Sequence, residues 1–226
     1  MNDTNKNILS SELTKEKLIN EGIKQFAIHG INGVRTRQLA ESAGVNQSAI
    51  PYHLGGKLGV YCAVIQKIAS DLSRESNVQA FDAQLKLAMQ QTPIEQAQAN
   101  QLISLLITGL GNALLLPKHE YYSVLILREQ LEPTENYDVI YRDFIEPFHT
   151  RLSGLIQTIN RIDKQTAIIR AHVLIGQVLG FVVARKPFLK RLNAQQIDER
   201  LLSDILQQIS LMAIQALMIG NSGLVY

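Results

Sequence analysis

The chain is expected to be all-α, a small N-terminal helix-turn-helix domain (residues 12–58) followed by a larger helical body (residues 59–226). Three observations lead there. Apolar residues recur every three or four positions through the long segments, and no alternating run rich in Val, Ile, Thr and aromatics is present. Glycine (14) and proline (6) are sparse in 226 residues. Residues 36–57 divide into two short helical patterns separated by Gly44, the arrangement of a helix-turn-helix. A hydrophobic content of 46% against 19% charged is enough for a packed core and argues against disorder.

Taken in order, residues 2–11 read as a frayed polar leader. The first helix is expected over about 14–29, with Leu18, Ile19, Gly22, Ile23 and Phe26 on one face. Gly22 costs about 0.5–1 kcal/mol there unless close packing requires it. Gly30 and Gly33 punctuate the next turn. Thr36 can cap a helix that buries Leu39, Ala40 and Ala43, and Gly44 supplies the left-handed residue that ends it, returning Val45 to the core. Asn46 or Ser48 can cap the second helix, which buries Ile50 and Leu54. If Ser48 is the cap, Pro51 falls in the first turn at little cost; if Asn46 is, a bond is lost and the helix kinks. In a helix-turn-helix this second helix enters the DNA major groove. The candidate DNA-facing set is Thr36, Arg37, Gln47, Ser48, Ala49, Pro51, Tyr52, His53 and Lys57. Gln47 can reach base edges, Ala49 permits close approach, and Tyr52, His53 and Lys57 can hold phosphates.

The same residues resemble the N-terminal domain of TetR-type regulators. Phe26 and Gly30 match the end of that family's opening helix. Thr36, Leu39, Ala40, Ala43, Gly44 and Val45 match its Thr-x-x-x-Leu/Ile-Ala-x-x-Ala-Gly-Val run. Ile50, Tyr52, His53 and Lys57 match the close of its recognition helix. Leu54 stands where the pattern has an aromatic, and Gly56 where it has a better capping residue. The resemblance implies a DNA-binding homodimer.

A longer helix is expected from 57 to about 76, carrying Leu58, Tyr61, Ile65, Ile68 and Leu72 and joining head to body without a flexible linker. In the body, a helix with Phe81, Leu85 and Met89 precedes a capped start at Thr92–Pro93. The next helix, to about Leu116, is apolar nearly all round and therefore buried. Pro117 ends it, a helix over 119–131 closes at Pro133, and Thr134 caps a long helix towards Asn160 with a kink at Pro147.

Residues 127–134, then Tyr137, residues 145–149, Leu152 and residues 172–176 resemble the C-terminal domain of CecR-type members of the TetR family. That resemblance implies a repressor relieved by a small toxic compound and often controlling export genes. The candidate effector contacts are Tyr121, Tyr122, Arg128, Gln130, Tyr137, Phe144, His149, His172, Gln177 and Phe181, a mainly apolar set with a few polar groups. Arg128, Glu129 and Gln130 sit in an otherwise apolar helix, where a buried charge must be paired. Either an internal Arg–carboxylate bridge fixes the packing, or Arg128 or Gln130 anchors a polar ligand.

The last two helices, about 163–185 and 193–219, read as the dimer interface, through Gly176, Gly180, Val183, Ile205, Ile209, Met212 and Ala216. Two apolar stripes run along the final helix, one for the protomer's own core and one for a partner in a four-helix bundle.

Other functions are weighed against this. Glu146-x-x-His149 has half the spacing of a di-iron carboxylate site, and no other histidine has Glu three residues before it. No catalytic motif, metal site or cofactor is expected, and a ligand-independent DNA-binding co-regulator is the alternative. Over residues 1–60, seven Lys/Arg face five Asp/Glu, so DNA affinity should lean on geometry and dimerisation with a moderate salt dependence. Cys62 is alone and reads as a small core residue. The polar start has no signal-peptide core, and the apolar stretches 102–116 and 209–220 are too short and interrupted to span a bilayer. A cytoplasmic protein with a double-stranded DNA operator, a small-molecule effector and a second copy of itself as partners is expected.

Overall fold

A computed structural model of the chain describes residues 3–90 and 94–219, and every described element is helical. Two compact units result, one of residues 1–69 with 121–140, the other of residues 70–120 with 141–226. The stretch 121–140, expected in the body, therefore packs with the N-terminal helices.

The head unit begins with α1 (Asp3–Gly33), which starts well before the expected Thr14. No Gly or Pro interrupts its first nineteen residues, so the polar leader continues the helix instead of fraying. Gly30, at φ 68°, marks where the helical path is broken. Gly22 lies at a tight helix contact: a Cβ there would meet the Val64 side chain at 3.0 Å and Val60 at 3.3 Å, so those valines would have to give way by a few tenths of an ångström. α1 thus approaches α4 (Lys57–Glu75) closely at this point. Tyr61, Ile65, Ile68 and Leu72 of α4 are buried as expected, but Leu58 is 70% exposed. The inward line begins at Val60, one residue nearer the face that meets Gly22. Cys62 is half-buried.

α2 (Thr36–Ala43) and α3 (Ala49–Leu54) lie between α1 and α4 in sequence and pack on α1. Thr36 is the first residue of α2 rather than its cap; Arg35 holds the capping position in extended backbone with no side-chain bond. The turn from α3 into α4 is built of glycines for steric reasons. Gly55 and Gly56 have φ of 70° and 105°, where L side chains are strained. A Cβ on Gly59 would fall 1.5 Å from the Leu54 carbonyl oxygen. The head is completed by α7 (Glu120–Leu131) from Tyr121 onward and α8 (Tyr137–Ile140), whose Leu125, Ile126 and Ile140 are buried.

In the body unit, α5 (Val78–Ala88) buries Phe81 and leaves Leu85 half-buried and Met89 exposed, the last because the helix has ended before it. The expected cap at Thr92 lies outside the described residues. α6 (Gln96–Leu115) starts at a capping box in which Glu95 and Gln98 satisfy each other's backbone N–H groups. It is the central helix, packed against α5, α9 (Glu146–Asn160), α10 (Lys164–Val183) and α12 (Glu199–Ile219). Two glycines let other chain segments approach: a Cβ on Gly109 would meet the Ser76 carbonyl at 2.2 Å, and on Gly111 the Leu206 side chain at 2.2 Å.

A 3-10 turn at Pro117–His119 follows α6. Thr134 Oγ1 accepts the Asn136 N–H at 3.1 Å ahead of α8, and the expected kink takes the form of a π-helical turn, Tyr141–Ile145, just before Pro147. A widened turn accommodates a residue that cannot donate a helical bond. Asp163 caps α10 by accepting the Thr166 N–H at 3.0 Å, and Asp198 caps α12 by accepting the Leu201 N–H at 2.8 Å. Between them lies a helix the sequence reading omitted, α11 (Arg185–Leu192), with Pro187 in its first turn, where no intrahelical donor is lost. Arg185 donates to the Leu114 and Leu115 carbonyls, closing the C-terminal end of α6. Asn160 Nδ2 donates to the Leu217 carbonyl at 2.7 Å, fixing the end of α9 to α12.

Gly59→Ala is expected to destabilise the protein by about 1–3 kcal/mol, because the clash is with backbone and forces the α3–α4 turn open. Thermal unfolding followed by circular dichroism reads this directly; a Tm equal to the parent's would contradict it.

Candidate nucleic-acid interface

The recognition surface is assembled by the turn between α2 and α3. Gly44 takes the left-handed conformation at φ 64°, and its N–H reaches the Glu41 carbonyl at 3.1 Å while Val45 N–H reaches Ala40 at 3.0 Å. These bonds satisfy the last carbonyls of α2. Val45 is half-buried. The next turn is organised by Asn46, whose Oδ1 accepts from both the Ser48 N–H (3.0 Å) and the Ser48 hydroxyl (2.9 Å). Ala49 N–H bonds to the Asn46 carbonyl and Ile50 N–H to the Gln47 carbonyl, both three residues back. The entry to α3 is therefore a tight 3-10-like turn, and Ser48 occupies the helix's N-terminal flanking position without using its side chain as a cap. Pro51 stands third in α3, inside the first turn, where its missing N–H leaves no interior bond unmade.

Ile50 is fully buried and pins α3 to the head core, with Leu54 half-buried beside it. The opposite face is open. Tyr52 is 82% exposed, and Gln47, Ser48 and Pro51 are exposed with it. Thr36 and Ala49 are half-buried at the edge of the same surface. Gln47 Nε2 reaches Thr36 Oγ1 at 3.5 Å, the long end of hydrogen-bond range, so little holds this amide against re-aiming. Thr36, Gln47, Ser48, Pro51 and Gly56 rim a shallow cleft of about 490 Å³ with Ile50 at its floor.

Three members of the sequence set have other engagements. Lys57 donates from Nζ to the Val34 carbonyl at 3.2 Å, which ties α4 to the loop before α2. His53 is half-buried rather than outward; its Nδ1 lies 3.2 Å from the Ser11 hydroxyl of α1, and its ring stacks edge-on against Tyr52. Arg37 pairs with Glu41 at 2.8 Å, an exposed i,i+4 bridge that holds its guanidinium more firmly protonated. Such a bridge is weak in water and exchanges readily for a phosphate. The sequence reading missed Ser11 as the partner of His53, because nothing in a single chain pattern pairs positions 42 residues apart.

The ten candidate effector contacts are divided between the two units. Tyr121, Tyr122, Arg128, Gln130 and Tyr137 belong to the head unit; Phe144, His149, His172, Gln177 and Phe181 belong to the body unit. Arg128 and Gln130 are exposed, and the buried member of that run is Glu129. The partners of the buried carboxylate are Tyr61 and Thr134, in place of the expected arginine bridge. In the body unit the His149 and His172 rings lie 5.8 Å apart. Burial, with His172 adding to it, pushes the His149 imidazole below its ordinary range. Phe144 is buried, and Phe181 stacks edge-on against Phe188. Glu146 is exposed, while His149 faces His172.

The presumed dimer residues separate into two groups. Ile205 and Ile209 are buried in the body's own core, so they are not available to a second chain. The pattern along α12 puts Ile205 with Met212 and Ala216 in one stripe and Leu202, Leu206, Ile209, Ala213 and Leu217 in the other, but Ile205 is buried with the second set while Met212 and Ala216 are exposed. On α10, Gly176, Gly180 and Val183 are exposed. α10 is also the one helix among the described residues long and apolar enough to cross a membrane; core helices share that property, and its Ala171, Leu174 and Val178 are buried.

Comparison with known proteins agrees with this geometry. Residues 99–217 match the family described as the C-terminal domain of the HTH-type transcriptional dual regulator CecR. The CecR protein of Shigella flexneri is 31% identical over 193 residues, covering 84% of this chain and 85% of the relative. Among solved structures, a TetR-family transcriptional regulator of Mesorhizobium loti superposes with a TM-score of 0.57 at 14% identity, covering 92% of this chain and 96% of its own. The hemolysin II regulator HlyIIR gives 0.52 at 18% identity, covering 88% and 98%. A helix-turn-helix with an open second helix, a C-terminal region that matches this domain over more than half of the chain, and the 31% identity to CecR place the protein in the TetR family of transcriptional regulators, in the group that shares the CecR C-terminal domain.

Proposed function

We propose that the chain acts in the cytoplasm as a homodimeric repressor that leaves a palindromic operator when a small molecule binds its body. The observation that carries the DNA half of this reading is the face of α3 and its entry turn, where Tyr52, Gln47 and Ser48 are exposed while Ile50 is buried. Gln47 is the residue for base edges, and Tyr52, Ser48 and Arg37 are suited to phosphates. Two such helices on a symmetric dimer read half-sites about 34–36 Å apart, one turn of the duplex. The Shigella relative is described as a dual regulator, so the same dimer can act in either sense according to where its operator lies.

The dimer reading is supported by the outward side of α10 and α12. Ile169, Val173 and Val183 line α10 and Met212 lies on α12, each about half or more exposed. Between them, Gly176 and Gly180 have nothing within 4 Å of the space a Cβ would fill, so a partner helix can approach the backbone. The effector reading is supported within the body unit by three buried polar atoms left without hydrogen-bond partners among the described residues, Gln177 Oε1 and Arg170 Nη1 on α10 and Asn160 Oδ1 at the end of α9. Buried polar groups normally find partners, and a polar ligand supplies them.

Selection of binding sites from random duplex DNA, repeated with a panel of small antibacterial compounds, tests the whole reading. A palindromic consensus whose binding one compound releases is the expected result; no preference for any duplex overturns it. Tyr52→Ala is expected to weaken operator and non-operator DNA alike, by about 1 kcal/mol per site. Gln47→Ala should instead lose about 1–3 kcal/mol of base discrimination, seen as a relaxed consensus in the same selection. Gly176→Arg should sediment as a monomer. Gln177→Leu should leave operator affinity unchanged while altering the concentration of compound that releases the DNA.

A further inference from the structure

Arg128 and Glu129 sit in a segment read from sequence as part of the effector site, but inside the head unit they do something else. Glu129 is the only buried acid among the described residues, 1% exposed. Its carboxylate accepts the Tyr61 hydroxyl of α4 at 2.5 Å, the Thr134 N–H at 3.1 Å and the Thr134 hydroxyl at 3.0 Å. Tyr61 in turn packs edge-on against Phe26 of α1, with centroids 5.1 Å apart. The neighbouring Arg128 reaches the other way. Its Nη2 donates to the Ala27 carbonyl at 3.3 Å, and the guanidinium lies over Gly30, where the helical path of α1 breaks.

Consecutive residues of α7 therefore hold α4 and the end of α1, the two helices that flank α2 and α3 in the chain. We propose that Arg128 and Glu129 are positioning residues for DNA recognition: they meet no DNA, but they set where α1 and α4 carry the recognition helix. This rests on the DNA-binding reading above. The geometry makes the setting discrete rather than elastic. Separating α4 from α7 along this bond by the length of one helical rise, about 1.5 Å, takes the 2.5 Å bond out of hydrogen-bond range and leaves a buried carboxylate short of one partner. Base contacts depend on such displacements far more than phosphate contacts do.

The test uses the full-length protein, an operator recovered by selection and a non-operator duplex of equal length, with binding followed by fluorescence anisotropy. Tyr61→Phe removes only the hydroxyl, Glu129→Gln removes the charge and turns one accepting oxygen into a donor, and Arg128→Ala alters an exposed side chain that can be lost without unfolding the head. For folded variants the expected result is an operator affinity lowered about tenfold, non-operator affinity equal to the parent's, and a Tyr61→Phe/Glu129→Gln double variant no worse than the poorer single. Variants that bind operator as the parent does, or that lose operator and non-operator binding equally, overturn the proposal. Should Glu129→Gln not fold, Tyr61→Phe and Arg128→Ala decide the matter by the same ratio. A parent that prefers no duplex overturns the DNA-binding reading itself and the present proposal with it.

Discussion

The buried carboxylate of Glu129 constrains the head more than any other single group. Taking an ionised carboxylate out of water costs several kcal/mol, and only well-placed donors offset that. Tyr61 and Thr134 are those donors, one on α4 and one in the loop after α7. Once the charge is buried there, neither segment can move without exposing the penalty. The Tyr61 hydroxyl feels the same environment, its acidity suppressed first by burial and then by its bond to the anion. A head built on helix packing alone would tolerate sliding; one held by a buried charge has a defined register.

That register matters because α3 cannot hold itself in place. A helix of six residues is far below the length at which isolated helices persist in water. Its conformation is imposed from both ends. Asn46 closes the turn that enters it, Gly55 and Gly56 leave it at positive φ where L side chains are strained, and Gly59 leaves room for the Leu54 carbonyl. Ile50 then fastens the inward face. What is left outside is a small, rigid, mostly neutral surface, with the nearby cations partly engaged by Glu41 and by the Val34 carbonyl. Under the proposed reading, DNA recognition by this head depends on shape and on pairing of two copies more than on bulk charge.

The body follows a different logic, with one apolar helix at its centre. α6 has buried positions on nearly every side, and its glycines admit neighbouring segments to backbone distance. Polar groups in such an interior are conspicuous. Asn160 is used to tie α9 to α12. Arg185 is used to end α6, its guanidinium losing some basicity to burial. Gln177 Oε1 and Arg170 Nη1 on α10, and the Oδ1 of Asn160 itself, are left without such partners among the described residues, and the proposed effector reading rests on them.

Much of this was legible in the residues alone. Periodicity determined the all-α class, and Gly44, with apolar residues spaced on either side, determined the turn between α2 and α3; such signals are local, set by backbone sterics and helical repeat. Gly22 announced close packing because a glycine in mid-helix otherwise has no advantage. Position in the tertiary structure decided the rest. Both stripes of α12 are apolar, so composition was unable to say that Ile205 turns inward and Met212 outward; only the direction of α6 against α12 settles that. Arg128, Glu129 and Gln130 looked equivalent as charged or polar breaks in one helix, and only the placement of Tyr61, sixty-eight residues away, selected Glu129 for burial. Hydrogen bonds between distant segments leave no periodic trace in the chain, because each partner alone is an ordinary residue in an ordinary helix.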